Sequence, residues 1–165
     1  MEPSLFQALE EGIYWITRRI AVRRFAKVDR AQRSLNHGLT HILNVADAPS
    51  LSQIVKAGFQ SVADVPLQDL TLIPSEAAVR RLDLMHDTLS VPDVKLYVHC
   101  TAGQNRSPTV VWLYLVACGT PPEEAKQLIV ARSPDAIPGN ASLVDDELIE
   151  AAHQHGRARG FGGIQ

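Results

Sequence analysis

Apolar and polar positions alternate along the chain in two rhythms, short strand-like runs and longer helical stripes. Ile13, Trp15, Ile20 and Val22 concentrate β-branched and aromatic residues in the stretch from Gly12 to Val22, which predicts one or two strands. Thr40 to Val45 (THILNV) predicts a buried strand, Phe59 to Val65 another strand, and Val94 to His99 a short apolar strand. Helical patterns lie between them. Asp29 is placed to cap a short helix ending near Asn36–His37, with Gly38 as its stop, and Ser50 to Ala57 predicts another, closed by Gly58. Pro74-Ser75-Glu76 opens a longer helix in which Val79, Leu82, Met85 and Leu89 share a stripe, with Arg80, Arg81, Asp83 and Asp87 largely away from it. Thr109 to Cys118 (TVVWLYLVAC) is apolar on every side and is expected at the centre of the molecule, ended by Gly119. Thr120-Pro121-Pro122-Glu123 reads as a capping box with proline at the first position of a helix running to about Arg132. A last helix is expected from Ser142 to about His155, with Asp145, Asp146 and Glu147 in its first turn, followed by a fraying tail from Gly156 to Gln165.

Strands alternating with helices predict an α/β three-layer sandwich with a mainly parallel central sheet. No linker, repeat or low-complexity block divides the 165 residues, so a single domain over residues 1–165 is expected. At 45% hydrophobic and 21% charged residues the composition is globular, and no apolar run reaches the ~20 residues of a membrane span. The acidic start, Met1 to Glu11, lacks the order of a signal peptide, and two cysteines do not make a disulfide scaffold; a reducing cytoplasm is the expectation. A net charge of −2 argues against wholesale nucleic-acid binding. The charge is uneven: residues 18–33 carry seven basic side chains against Asp29, a solvated face or the rim of an anion site.

The chemistry concentrates in Val98-His99-Cys100-Thr101-Ala102-Gly103-Gln104-Asn105-Arg106-Ser107-Pro108, between a predicted strand and a predicted helix. Such a loop lies at the carboxyl edge of an open sheet, where successive amides and a helix N-terminus can surround a phosphate-sized anion. Gly103 permits close backbone approach. Cys100 begins the loop and Arg106 ends it, so a sulfur and a guanidinium can meet one bound oxyanion. Loop amides, helix dipole and Arg106 are all expected to favour the thiolate. Ser107 places a hydroxyl within reach of that sulfur, and His99 is suited to ordering the loop. Cys118, at the end of the apolar helix, reads as structural, as do Trp15 and Trp112. His153 and His155 do not share a helical face, which argues against a metal site.

HCTAGQNRS resembles the active-site signature of the cysteine-dependent protein phosphatases, His-Cys-x5-Arg-Ser/Thr. HGLTHILNVAD, SPTVVWLYLV and IPGNASLVDDEL are similar to further segments of the compact, atypical dual-specificity branch, so that the resemblance spans about residues 13–152. It implies a sheet of about five strands flanked by helices, a shallow pocket and no metal or cofactor. Cys100, Arg106, Ser107 and an Asp would be catalytic, with Thr101, Ala102, Gly103, Gln104, Asn105 and Arg106 binding the phosphate. The family places that Asp, a proton donor, about thirty residues before the cysteine: Asp69 fits best, with Asp64 as alternative. Asn140 would brace the loop, or simply form a turn. The resemblance implies phosphorylated protein as substrate, on phosphotyrosine and phosphoserine or phosphothreonine. A phosphoinositide, RNA 5′-phosphate or phosphoglucan would use the same chemistry, and a non-catalytic phosphate-binding module the same loop. A rhodanese-like sulfur carrier fits the Gly103 spacing and the Ser107-Pro108 helix start poorly. A low-pKa, exposed thiolate of this kind would also be open to oxidation.

Overall fold

The computed structural model describes residues 13–24 and 26–162; the expected strand start at Gly12 and the end of the tail at 163–165 lie outside these. The elements run β1 (Ile13–Trp15), β2 (Ile20–Arg23), α1 (Val28–Asn36), β3 (His41–Asn44), α2 (Ser52–Val55), β4 (Ser61–Asp64), α3 (Ser75–Leu89), β5 (Leu96–His99), α4 (Arg106–Ala117), α5 (Pro122–Arg132) and α6 (Asp146–Arg159). The strands form one five-stranded sheet in the order β1-β2-β5-β3-β4. β1 runs antiparallel to β2, and the other neighbours are parallel. This is the expected α/β architecture.

Side chains alternate across the strands, and the two faces bury different partners. Val22, Leu43, Leu96 and Val98 face the larger core with α3, α4, α5 and α6. Ala21, Ile42 and Tyr97 turn to the other face, under Ala31 of α1 and Ile54 of α2. Every residue of α4 is buried, as its unbroken apolar run requires. Gly156 of α6 crosses α4 so closely that a Cβ there would lie 1.9 Å from the Ala117 carbonyl oxygen. Trp15 and Trp112 are both core residues.

Register aligns the carboxyl ends. Arg23, His99 and Asn44 are neighbours across β2, β5 and β3, and Asn44 pairs with Asp64 on β4. The segments that follow β5, β3 and β4 therefore leave the sheet side by side, at one edge.

Several helix ends differ from expectation. α1 begins at Val28 with Lys27 as its cap, and Asp29 lies in the first turn, bonded to Arg33 at 3.1 Å. No capping box forms at Thr120. Two prolines in a row hold Pro121 extended as the cap of α5, which leaves Thr120 one residue outside. α6 starts at Asp146, not Ser142, because the Asn140 side chain takes the Ser142 N–H and hydroxyl into a turn while Asp145 caps Leu148 N–H at 2.9 Å. The tail is ordered beyond Gly156. α6 continues to Arg159, Gly160 supplies the left-handed stop, and Phe161 is fully buried, stacked on His86 with ring centres 4.0 Å apart. On α3 the buried stripe is Ala78, Leu82, Met85, His86 and Leu89, with Val79 half-exposed at its margin.

Candidate active site

β5 delivers Cys100 to the carboxyl edge of the sheet, and α4 starts six residues later with Arg106. Gly103, at φ +78°, makes the reversal between them. Cys100 is only 2% exposed, so the expectation of an exposed thiolate is corrected: the residue belongs to the floor of the loop, among core side chains. Its Sγ lies 3.3 Å from Ser107 Oγ, the contact expected from the sequence. His99, fully buried beneath the loop, donates from Nδ1 to the Cys100 carbonyl at 3.4 Å. Burial pushes its pKa down to about 4, against the opposing pull of that carbonyl and of the Asp64 carboxylate, so the imidazole is neutral at pH 7.

Arg106 is 5% exposed and joins three segments. Its Nη1 donates to the Asp47 carboxylate, after β3, and to the Leu67 carbonyl, after β4, at 3.0 Å. Nη2 donates to Thr101 Oγ1 at 3.2 Å, within the loop itself. The buried Nε donates to no acceptor among the described residues and lies 3.9 Å from Asp69 Oδ1. Nε and Nη2 share one edge of the guanidinium, the edge suited to gripping two oxygens of a phosphate. The opposite side is held by Asp47 and Leu67.

The two carboxylates considered as proton donors separate clearly. Asp69, 38% exposed, sits beyond β4, with its Oδ1 3.9 Å from Arg106 Nε. Asp64 is committed to structure: Asn44 Nδ2 donates to it at 3.0 Å, Ser50 Oγ at 2.6 Å and Ser50 N–H at 3.2 Å. Burial raises its pKa, but these hydrogen bonds outweigh it and hold the carboxyl below its ordinary value. An ionised, three-fold bonded carboxylate has no proton to give.

A second brace comes from the segment after α5. Asn140 Nδ2 donates to Asn105 Oδ1 at 3.1 Å, and Ile137 N–H donates to the Gln104 carbonyl at 2.7 Å. Thr101, Ala102, Gly103, Gln104 and Asn105 are thus tied at several points, and Asn140 both braces the loop and forms the turn. Asp47 is a site residue that no motif in the sequence marks. The signal available was its place just after LNVA, on the strand that neighbours β5. His155 is taken up by Asp83 at 2.7 Å, on the far side of α3. Cys118 ends α4 half-buried, where burial raises its pKa, partly opposed by Tyr114. Within the basic stretch, Arg19 is structural, donating to the carbonyls of Leu89, Val91 and Val94, whereas Arg24 and Lys27 are exposed just beyond β2.

The family model described as Swiss Army Knife protein, DSP-PTPase phosphatase domain, matches residues 14–155. Protein tyrosine phosphatase type IVA 2 of Mus musculus, like its counterpart in Rattus norvegicus, is 33% identical over 95 residues, 56% of this chain. The match likewise spans 56% of those curated relatives' own length. Among solved structures, Tk-PTP in the active form superposes with a TM-score of 0.69 at 20% identity, covering 88% of this chain and 97% of that one. PTPMT1 in complex with PI(5)P gives 0.72 at 17% identity, covering 90% and 99%, and DUSP15 gives 0.64 at 20%, covering 90% of each. These structural likenesses are of fold. The matched family model, which covers most of the sequence, places the chain: it belongs to the DSP-PTPase phosphatase domain family.

Proposed function

We propose that this protein hydrolyses phosphotyrosine and phosphoserine or phosphothreonine monoesters through a cysteinyl-phosphate intermediate, with residues 13–152 as the catalytic core of a single domain. The observation that carries the reading is the position of Arg106: buried, held from behind by Asp47 and Leu67, with its Nε edge toward Asp69 and its loop shared with Cys100. In the first step Cys100 Sγ attacks phosphorus in line, a P–S bond forming as the P–O bond to the leaving group breaks. Loop amides and the Nε–Nη2 edge hold the equatorial oxygens, where charge spreads. Asp69 gives its proton to the departing oxygen. Water then attacks phosphorus, Asp69 takes a proton from that water, and sulfur leaves as thiolate with Ser107 donating to it.

Protein substrates are supported by the absence of charge at Thr101, Ala102, Gln104 and Asn105, which offers no cation to further phosphates. The exposed side chains of Leu70, Leu72 and Ile137 on the flanking segments suit contact with a polypeptide. Exposed Arg24 and Lys27 favour a second reading, a phosphoinositide headgroup, the kind of ligand in the PTPMT1 complex. The deciding measurement compares kcat/KM for matched phosphotyrosine and phosphothreonine peptides with that for phosphatidylinositol 5-phosphate in vesicles. Rapid acid quench and mass spectrometry should trap phosphate on Cys100 with the preferred substrate. Cys100→Ser should show neither adduct nor turnover; hydrolysis at the wild-type rate in that variant would defeat the mechanism, and a preference for the lipid would replace the substrate class.

A further inference from the structure

The segment that carries Asp69 has a stem and a tip. Its stem continues the sheet: Val65 N–H donates to the Asn44 carbonyl at 2.9 Å and Leu67 N–H to the Val45 carbonyl at 3.0 Å. The carbonyls of the stem point to guanidinium groups. Val65 O accepts from Arg81 Nε at 3.1 Å, Pro66 O from Arg81 Nη2 at 2.6 Å, and Leu67 O from Arg106 Nη1 at 3.0 Å. Arg81 is itself locked, donating from Nη1 to Ala77 O one turn back on α3 at 2.7 Å. Beyond Leu67 the character changes. Gln68 to Leu72 is largely exposed, and its bonds are local, Leu70 N–H to Asp69 Oδ1 and Thr71 Oγ1 to Asp69 O. Buried Ile73 re-anchors the chain through its N–H to the Leu143 carbonyl at 2.8 Å.

Asp69 is thus two residues past the last fixed point. Where its carboxyl can travel is set by where the stem ends, and Arg81 holds the two stem carbonyls before the one that Arg106 holds. A guanidinium is suited to this: its fork satisfies two successive carbonyls and one of its own helix at once, which no ammonium can do with the same geometry. We infer that Arg81 is a positioning residue for proton donation, a buttress on α3 that keeps Asp69 in reach of the departing oxygen. The inference rests on Asp69 being the general acid, and it assigns Arg81 no contact with substrate.

The test uses leaving groups that differ in their need for a proton. Phenyl phosphate departs as a basic phenoxide and needs the acid; difluoromethylumbelliferyl phosphate departs as a weakly basic oxyanion and scarcely needs it. Because kcat/KM reports the step in which that oxygen leaves, it is the quantity to compare. Asp69→Asn should lower it by ~100-fold or more for phenyl phosphate and by only a few-fold for the activated ester, with loss of the alkaline limb of the pH profile. Arg81→Gln should show the same asymmetry at reduced size, ~10-fold against less than ~2-fold, and should add nothing further in the Asp69→Asn background. If Arg81→Gln does not fold, Arg81→Lys takes its place under the same criteria. Equal losses on both esters, no loss on either, or a full additional loss in the double variant would overturn the positioning role. Absence of the asymmetry in Asp69→Asn itself would instead overturn the assignment of the acid.

Discussion

Residues 100–107 and residues 65–73 meet at Arg106, yet they are held in opposite ways. The Cys100–Ser107 loop, the anion loop of the proposed mechanism, is tied at several points, through Ser107 and His99 at Cys100, Asn140 at Asn105 and Ile137 at Gln104, and it leads directly into α4. Among the described residues the Asp69 segment is fixed through its stem and at Ile73, and its five-residue tip bonds chiefly to itself. The difference matches what each would do. Stabilising charge on a transferring phosphoryl group needs donors already in place, whereas a proton donor has to admit substrate and then approach it. Arg106 joins the two regions, since it closes the loop, holds Leu67 and stands beside Asp69.

Breaking that joint should have the largest effect. Arg106→Lys keeps the charge but loses the planar fork, so it cannot hold Asp47, Leu67 and two phosphate oxygens together. Its kcat/KM for para-nitrophenyl phosphate should fall by ~10³–10⁴-fold, the scale seen when a transition-state arginine or oxyanion donor is lost. Vanadate inhibition should weaken in parallel. A loss of less than ~10-fold would mean that charge alone suffices at this position and that the held edge carries no weight.

Gly156→Ala strikes the support of the fixed region while leaving the Asp69 segment untouched. The added Cβ would sit 1.9 Å from the Ala117 carbonyl, against backbone that has no rotamer to yield, so α4 and α6 have to move apart. Destabilisation of about 3 kcal/mol is expected, from overpacking at a helix crossing. Urea unfolding monitored by tryptophan fluorescence would measure it, and an unchanged midpoint would show that the crossing is looser than this geometry.

The contrast between the regions also explains what could be read from sequence. The anion loop is contiguous, and its chemistry follows from the spacing of Cys100, Arg106 and Ser107 between one strand and one helix. The same local logic gives the strands and the buried α4, whose apolar runs leave few alternatives. Asp47 was not legible, because its partner lies 59 residues away and only the register of β3 beside β5 brings them together. The role of Arg81, which the pattern places only as lying away from the apolar stripe of α3, is hidden for the same reason: its acceptors Val65 O and Pro66 O belong to a segment 15 and 16 residues earlier. Spacing also left Asp64 open as a donor until Ser50 and Asn44 were seen to occupy it. The helix starts at Thr120 and Ser142 were misread where a proline pair and an Asn turn outcompeted the capping patterns.

The mildest test of the contrast is acid. His99 precedes Cys100 and bonds to its carbonyl, and its pKa of about 4 in the folded protein compares with 6.5 for an ordinary histidine. Between those values the unfolded chain binds a proton that the folded one refuses, so stability is complete above pH 6.5 and declines as pH falls toward 4. Across the whole interval the loss is at most about 3 kcal/mol. His41 and His86, also lowered by burial, act in the same direction, whereas Asp64 and Asp83, held below 3.8, respond only at lower pH. The contribution of His99 is isolated by comparing wild type with His99→Gln: urea midpoints of the variant should fall less steeply from pH 6.5 to 4.5, whatever its stability at neutral pH. Parallel slopes would mean that the ring accepts its proton without disturbing the floor of the loop, and the anion loop would then be less rigidly founded than its hydrogen bonds imply.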